Sequence, residues 1–181
     1  MDDGPIKIII DFDNKKYVIN QKSICFVASK IMTMLGVGDF ELSILFTDNT
    51  KIKELNSQYR EKDKATDVLS FPQSAFENPL VVIPETQSQI KVNPLDSLLG
   101  DLAISVEYTE INAQNIGQSI NDEMCFLMIH GILHLCGHDH IKKEEEQKML
   151  VQQKILTAQI KKLFSEDNLP LMIKSIDKGS K

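Results

Sequence analysis

The 181-residue chain predicts an α+β fold in which about five helices pack on one small mixed β-sheet. Three observations lead there. Strand-like and helix-like segments alternate irregularly through the first two thirds of the chain. From about residue 119 onward every periodic segment is helical. No internal repeat or low-complexity tract suggests a solenoid or a fibrous chain. A hydrophobic content of 42% over this length suits one domain with one core.

Residues 6–12, IKIIIDF, read as a first strand, closed by the Asp13-Asn14 turn signal. Tyr17-Val18-Ile19 extends it or forms a short second strand. Residues 21–35 have a helical period that Gly36 and Gly38 terminate. A strand over 40–46, FELSILF, precedes a short helix over 50–60 with Ile52, Leu55 and Tyr59 on one face. Residues 68–71 form a short strand ended by Pro72. The segment 73–97 is polar, carries Pro79, Pro84 and Pro94, and shows no period. It reads as a long loop with an apolar piece at 80–83, and loops of that length are often functional. A strand over 98–104 leads to Ser105, a candidate N-cap for a helix reaching about Gly117. Ser119 and Asp122 fit a capping box opening a helix to about Cys136. That helix is apolar nearly all round, which marks it as buried. Residues 142–164 form a last, amphipathic helix with Met149, Leu156, Ile160 and Leu163 inward. The domain is therefore placed at 1–165, and residues 166–181 are expected to be a flexible tail.

Composition excludes several classes. The net charge is −6, so a generally basic nucleic-acid coat is absent, although a local basic patch is compatible with it. No apolar run reaches the length of a membrane span, and no secretory signal precedes residue 6. Cys25, Cys125 and Cys136 are odd in number and unpatterned, so a disulfide framework is not expected and a reducing cytoplasm is. Of the 20 basic residues, only Arg60 is arginine. Arginine alone offers a planar bidentate fork, so this position is a candidate for a role lysine cannot fill.

All 4 histidines fall between His130 and His140. His130 and His134 are one helical turn apart on one face, about 6 Å along the axis. Two imidazoles at that spacing reach one ion at about 2.0–2.1 Å each. Gly137 permits a chain reversal through positive φ, which lets His140 fold back as a third ligand. Neutral imidazole suits zinc, and three protein ligands leave a fourth position for water, the pattern of a catalytic site. Histidines supporting the helix dipole are the bland alternative. Two of them inside an apolar helix would each need a buried partner, which favours the metal. His138 stays open between an exposed residue, a support for the cluster and a ligand. Asp139 reads as a turn residue or as an acceptor for a ligand histidine, and Cys136 as a buried neutral thiol. The His-x3-His-x5-His spacing is also that of metzincin peptidases, but those need Glu directly after the first histidine as general base, and Gly131 stands there.

The stretch HGILHLCGHDH at 130–140 resembles the signature HGxLHLxGYDH of the YbeY family of bacterial endoribonucleases. LNSQYREKDKATDVLSFP at 55–72 resembles that family's LNxxYRxKDxPTDVLSFP block, and GDLAIS at 100–105 its GDIxIS strand. The blocks occur in order, and the likeness spans about residues 5–160. Two departures are His138 for the usual Tyr and Ala65 for the usual Pro. The resemblance implies an α+β metalloenzyme with one zinc on His130, His134 and His140, at the C-terminal end of a buried helix. It implies a single-strand-specific endoribonuclease of ribosomal RNA maturation, notably of the small subunit, and of ribosome assembly. RNA is then the expected partner, with no DNA and no membrane. In that setting Arg60, near Lys51, Lys53, Lys62 and Lys64, would clamp a phosphate through two parallel hydrogen bonds. The competing reading is a surface ion pair with Glu61 or Asp63. Ser70 and Asp101, at strand ends in the matched blocks, are candidates to touch substrate or orient a ligand. A metzincin-like peptidase or other metallohydrolase is the alternative function.

Overall fold

A computed structural model describes residues 6–11, 16–84, 87, 89–91, 97–166 and 170–176. Its main sheet has four strands: β1 (Ile6–Asp11), β3 (Glu41–Thr47), β5 (Leu98–Ser105) and β4 (Val68–Pro72), side by side in that order. β1, β3 and β5 run parallel, while β4 is antiparallel to β5, so the sheet is mixed as expected. The five helices are α1 (Gln21–Met34), α2 (Asn49–Arg60), α3 (Val106–Ile116), α4 (Ile120–Leu135) and α5 (Lys143–Glu166). A parallel pair needs a crossover, and α1 supplies it between β1 and β3.

The caps follow the sequence. The Ser105 and Ser119 hydroxyls accept hydrogen bonds from Tyr108 N at 3.2 Å and Asp122 N at 3.1 Å. Each satisfies a backbone donor that a helix start leaves orphaned. α4 is the central element. Ten of its residues are buried, and its apolar side chains join those of α1, α5 and one sheet face in a single core. On the other sheet face, α2 lays Ile52 and Leu55 over Leu69 and Ala103. The strand alternation of β4 therefore sends Ser70 toward α4 and Phe71 toward α2.

Gly100 shows why one motif residue is glycine. Its φ is +149°, and a Cβ there would lie 2.4 Å from the Phe71 carbonyl oxygen. The sheet closes on that point, where β4 and β5 pair Pro72 with Gly100.

Part of the segment 166–181, expected to be a flexible tail, is ordered. Ile173–Ser175 forms strand β6, antiparallel to β2 (Tyr17–Ile19) in a second, two-stranded sheet. Met172 and Ile173 are buried in the core. Asn121, near the start of α4, grips the strand with its side-chain amide, donating to Ile173 O at 2.9 Å and accepting from Ile173 N at 3.1 Å. That docking outweighs the entropy of ordering the segment. Residues 167–169 and 177–181, like Phe12 and the Asp13-Asn14 turn, lie outside the described residues.

Candidate metal centre and active site

His130 and His134 project from one face of α4. Its last turn ends at Cys136, and Gly137, at φ +87°, reverses the chain. His140 then comes back over the same face. The ring centroids lie 4.6 Å apart for His130–His134, 5.0 Å for His134–His140 and 5.7 Å for His130–His140. One nitrogen from each ring falls within 4.8 Å of the others, a donor set that fits a single metal ion. His130 Nε2 and His134 Nε2 are 3.1 Å apart. At that distance the two nitrogens share either a proton, in a hydrogen bond, or a cation held by both lone pairs.

The tautomer of His134 is held by its surroundings. Its Nδ1 lies 2.9 Å from the His138 carbonyl oxygen, which can only accept, so Nδ1 donates and Nε2 keeps its lone pair for a metal. Burial and the neighbouring His130 push the His134 ring down to about 4, and burial also lowers His130. The rings are therefore neutral near pH 7, as metal ligation requires. Phe126, one turn before His130, stacks its ring on the imidazole at 6.0 Å and 16°.

His138 is not among the clustered ring nitrogens. Its side chain is buried, and Nε2 lies 2.6 Å from the Leu80 carbonyl oxygen. Leu80 N in turn donates to Cys136 O at 3.0 Å. The residue thus fastens the loop after β4 to the turn after α4. That loop has neither helix nor strand among its described residues, as its lack of period predicts. Val82 N donates to Gln152 Oε1 on α5 and Ile83 N to Met34 O, the last residue of α1, so residues 80–83 are strapped down. Asp139 makes the turn, accepting from His140 N at 2.7 Å. Cys136 is buried, with its thiol pushed up to about 12 by desolvation, so it is the neutral thiol expected.

Arg60 ends α2 and donates from Nη2 to the Ser70 carbonyl at 2.8 Å. It lines one cleft of about 690 Å³ together with Lys62, Lys64, Asp67, Ser70 and the histidines. Among the described residues no carboxylate pairs with it, and Asp63 pairs with Lys53 at 3.4 Å instead. Ser70 belongs to the same cleft, its hydroxyl donating to Gly131 O at 3.3 Å. Asp101 does not. It lies on the opposite sheet face, near Tyr59 and Phe71, and accepts from Gln73 Nε2 at 2.6 Å.

Residues 9–161 match the sequence profile of the family described as Endoribonuclease YbeY. The chain belongs to that family. The Endoribonuclease YbeY of Sulfurihydrogenibium sp. is 38% identical over 151 residues, covering 82% of this chain and 90% of the relative. That of Alkaliphilus metalliredigens is 35% identical over 162 residues, covering 86% and 96%. A solution structure from Thermotoga maritima shares the fold, with a TM-score of 0.56 at 23% identity, over 97% of this chain and 99% of that one. The matched range of the YbeY profile includes all three clustered histidines.

Sequence reasoning missed the supports of this YbeY site. The His138 carbonyl, the Leu80 anchor and the Phe126 stack depend on the turn after α4 and on rotation about its axis. A helix apolar on every side gives no clue to either, although Phe126 does stand four residues before His130.

Proposed function

We propose that the protein is a zinc-dependent endoribonuclease that cuts single-stranded RNA in the cytoplasm and serves maturation of ribosomal RNA, notably of the small subunit, and ribosome assembly. The observation that carries this reading is the triad of His130, His134 and His140 at the foot of a cleft rimmed by Arg60, Lys62 and Lys64. Family membership supports the RNA substrate. No helix among the described residues is long and apolar enough to cross a membrane.

One zinc ion per chain suits three neutral imidazoles, and it supplies Lewis acidity to phosphodiester cleavage. The chain's own residues do the rest. Arg60 is already oriented by Ser70 O, and its remaining guanidinium donors hold a non-bridging phosphate oxygen pair as charge develops there. Lys62 and Lys64 draw the backbone of an unpaired strand into the cleft. Residues 1–165 form the catalytic unit, with the strand at 173–175 docked on it.

A peptidase is disfavoured on a spatial ground as well as a chemical one. A Cβ at Gly131 would stand 2.8 Å from Leu102 Cδ2, so a side chain at the position where such enzymes carry their glutamate would force Leu102 to shift. The test is zinc-loaded protein assayed on single-stranded RNA, duplex RNA and peptides, beside His134→Ala. RNA cleavage that prefers the single strand and disappears in the variant is expected. Zinc-dependent peptide hydrolysis exceeding RNA cleavage would overturn the assignment.

A further inference from the structure

The three histidines are not equally supported. His134 Nδ1 has the His138 carbonyl. His130 Nδ1 is buried and makes no well-formed hydrogen bond. The side chain lying against it is Gln153, from the face of α5 that packs on α4. Gln153 is only 5% exposed, and its Nε2 is likewise buried without a partner. Both orphaned nitrogens therefore lie at the α4–α5 contact, where the Gln153 amide reaches His130.

A buried amide with an unpaired N–H is unfavourable, so a glutamine at this position calls for a reason. A ligand histidine has a matching need. With Nε2 given to a metal, its proton sits on Nδ1 and requires an acceptor that fixes tautomer and ring orientation. The Gln153 amide offers Oε1, which can only accept, to that proton. On the imidazole face, the Phe126 ring already limits rotation of His130.

We infer that Gln153 is the positioning residue of the metal centre: its amide oxygen receives the His130 Nδ1 proton and aims Nε2 at the ion. The inference rests on the metal-centre reading above. Helix α5 then does more than cover the core, because it sets the affinity of a site to which it contributes no ligand.

The test uses the full chain, stripped of metal and titrated with zinc against a chromogenic chelator. Gln153→Leu keeps much of the volume and removes the acceptor. Gln153→Glu keeps an acceptor and removes the competing N–H. Zinc affinity is expected to fall about 10–100-fold in Gln153→Leu, the usual cost of losing such a support, and to return in Gln153→Glu. The visible spectrum of the cobalt-loaded protein should change in Gln153→Leu and return in Gln153→Glu. A packing role alone would move neither. Should Gln153→Leu fail to fold, Gln153→Met takes its place. Wild-type affinity in the apolar variant, or equal weakness in Gln153→Glu, overturns the role of Gln153 alone. Full zinc content in His130→Ala would overturn the metal-centre reading beneath it.

Discussion

Replacing His138 by phenylalanine separates two roles that the sequence left open. Phenylalanine keeps a flat aromatic ring in this buried site, one ring atom larger than imidazole, a packing cost that tyrosine at the same position shares. What disappears is the hydrogen bond from Nε2 to the Leu80 carbonyl, 2.6 Å long. A carbonyl left unsatisfied in a buried setting costs about 1–3 kcal/mol. For a domain of this size each kcal/mol lowers the melting temperature by about 2–4 °C, so His138→Phe should melt about 2–12 °C lower. Zinc content should stay at wild type, because position 138 supports His134 through its backbone oxygen, which every residue has. Tyr, the residue usual in the YbeY family, carries a donor at the end of its ring, and His138→Tyr should recover most of the loss. Calorimetry of the three proteins, with elemental analysis of each, checks this. Unchanged melting in His138→Phe would refute the anchor. A loss of zinc as large as that of His140→Ala would instead make His138 a ligand.

Arg60→Lys keeps the charge and loses the planar fork, so cleavage of single-stranded RNA should fall about 10–1,000-fold in kcat with little change in melting temperature. Full activity would return Arg60 to an ordinary surface role. Gly100→Ala must place a Cβ against the Phe71 carbonyl at a φ of +149°, and chemical denaturation should show a loss of at least about 1–3 kcal/mol. Burial lowers the rings of His130, His134 and His138 in the metal-free protein. The unfolded chain then binds protons first, so apoprotein stability should be complete above about pH 6.5 and decline as pH falls toward about 4. Proton NMR of the rings should find His134 titrating near about 4, and a midpoint at 6.5 would contradict its burial. Deleting residues 170–181 removes β6 and leaves the Asn121 amide without its backbone partners, so it should destabilise the domain in the same denaturation assay.

The histidine cluster was legible because its information is local. A turn of helix, a glycine and three more residues bring His130, His134 and His140 together whatever surrounds them. The caps at Ser105 and Ser119 and the mixed sheet were legible on the same terms. The pairing of Tyr17–Ile19 with Ile173–Ser175 was not, because three-residue strands carry almost no period and the partners stand at opposite ends of the chain. Asn121 completes that pairing with a side chain acting as backbone, and residue type gives no warning of such a use. Asp101 illustrates a different loss. It sits in a motif beside site residues, yet the alternation of β5 turns it to the other face of the sheet.

The position of β4 at the sheet margin gives Arg60 a second importance. A marginal strand with open carbonyls invites another chain to add to it, which is how many folded proteins begin to aggregate. Here the guanidinium occupies the Ser70 carbonyl, and the strand stops at a proline that has no N–H to offer. The margin is thus closed by the residue proposed to grip substrate, and under that proposal solubility and turnover share one side chain. Replacing this arginine by a residue without a donor at that reach would reopen the Ser70 carbonyl and raise the protein's tendency to self-associate.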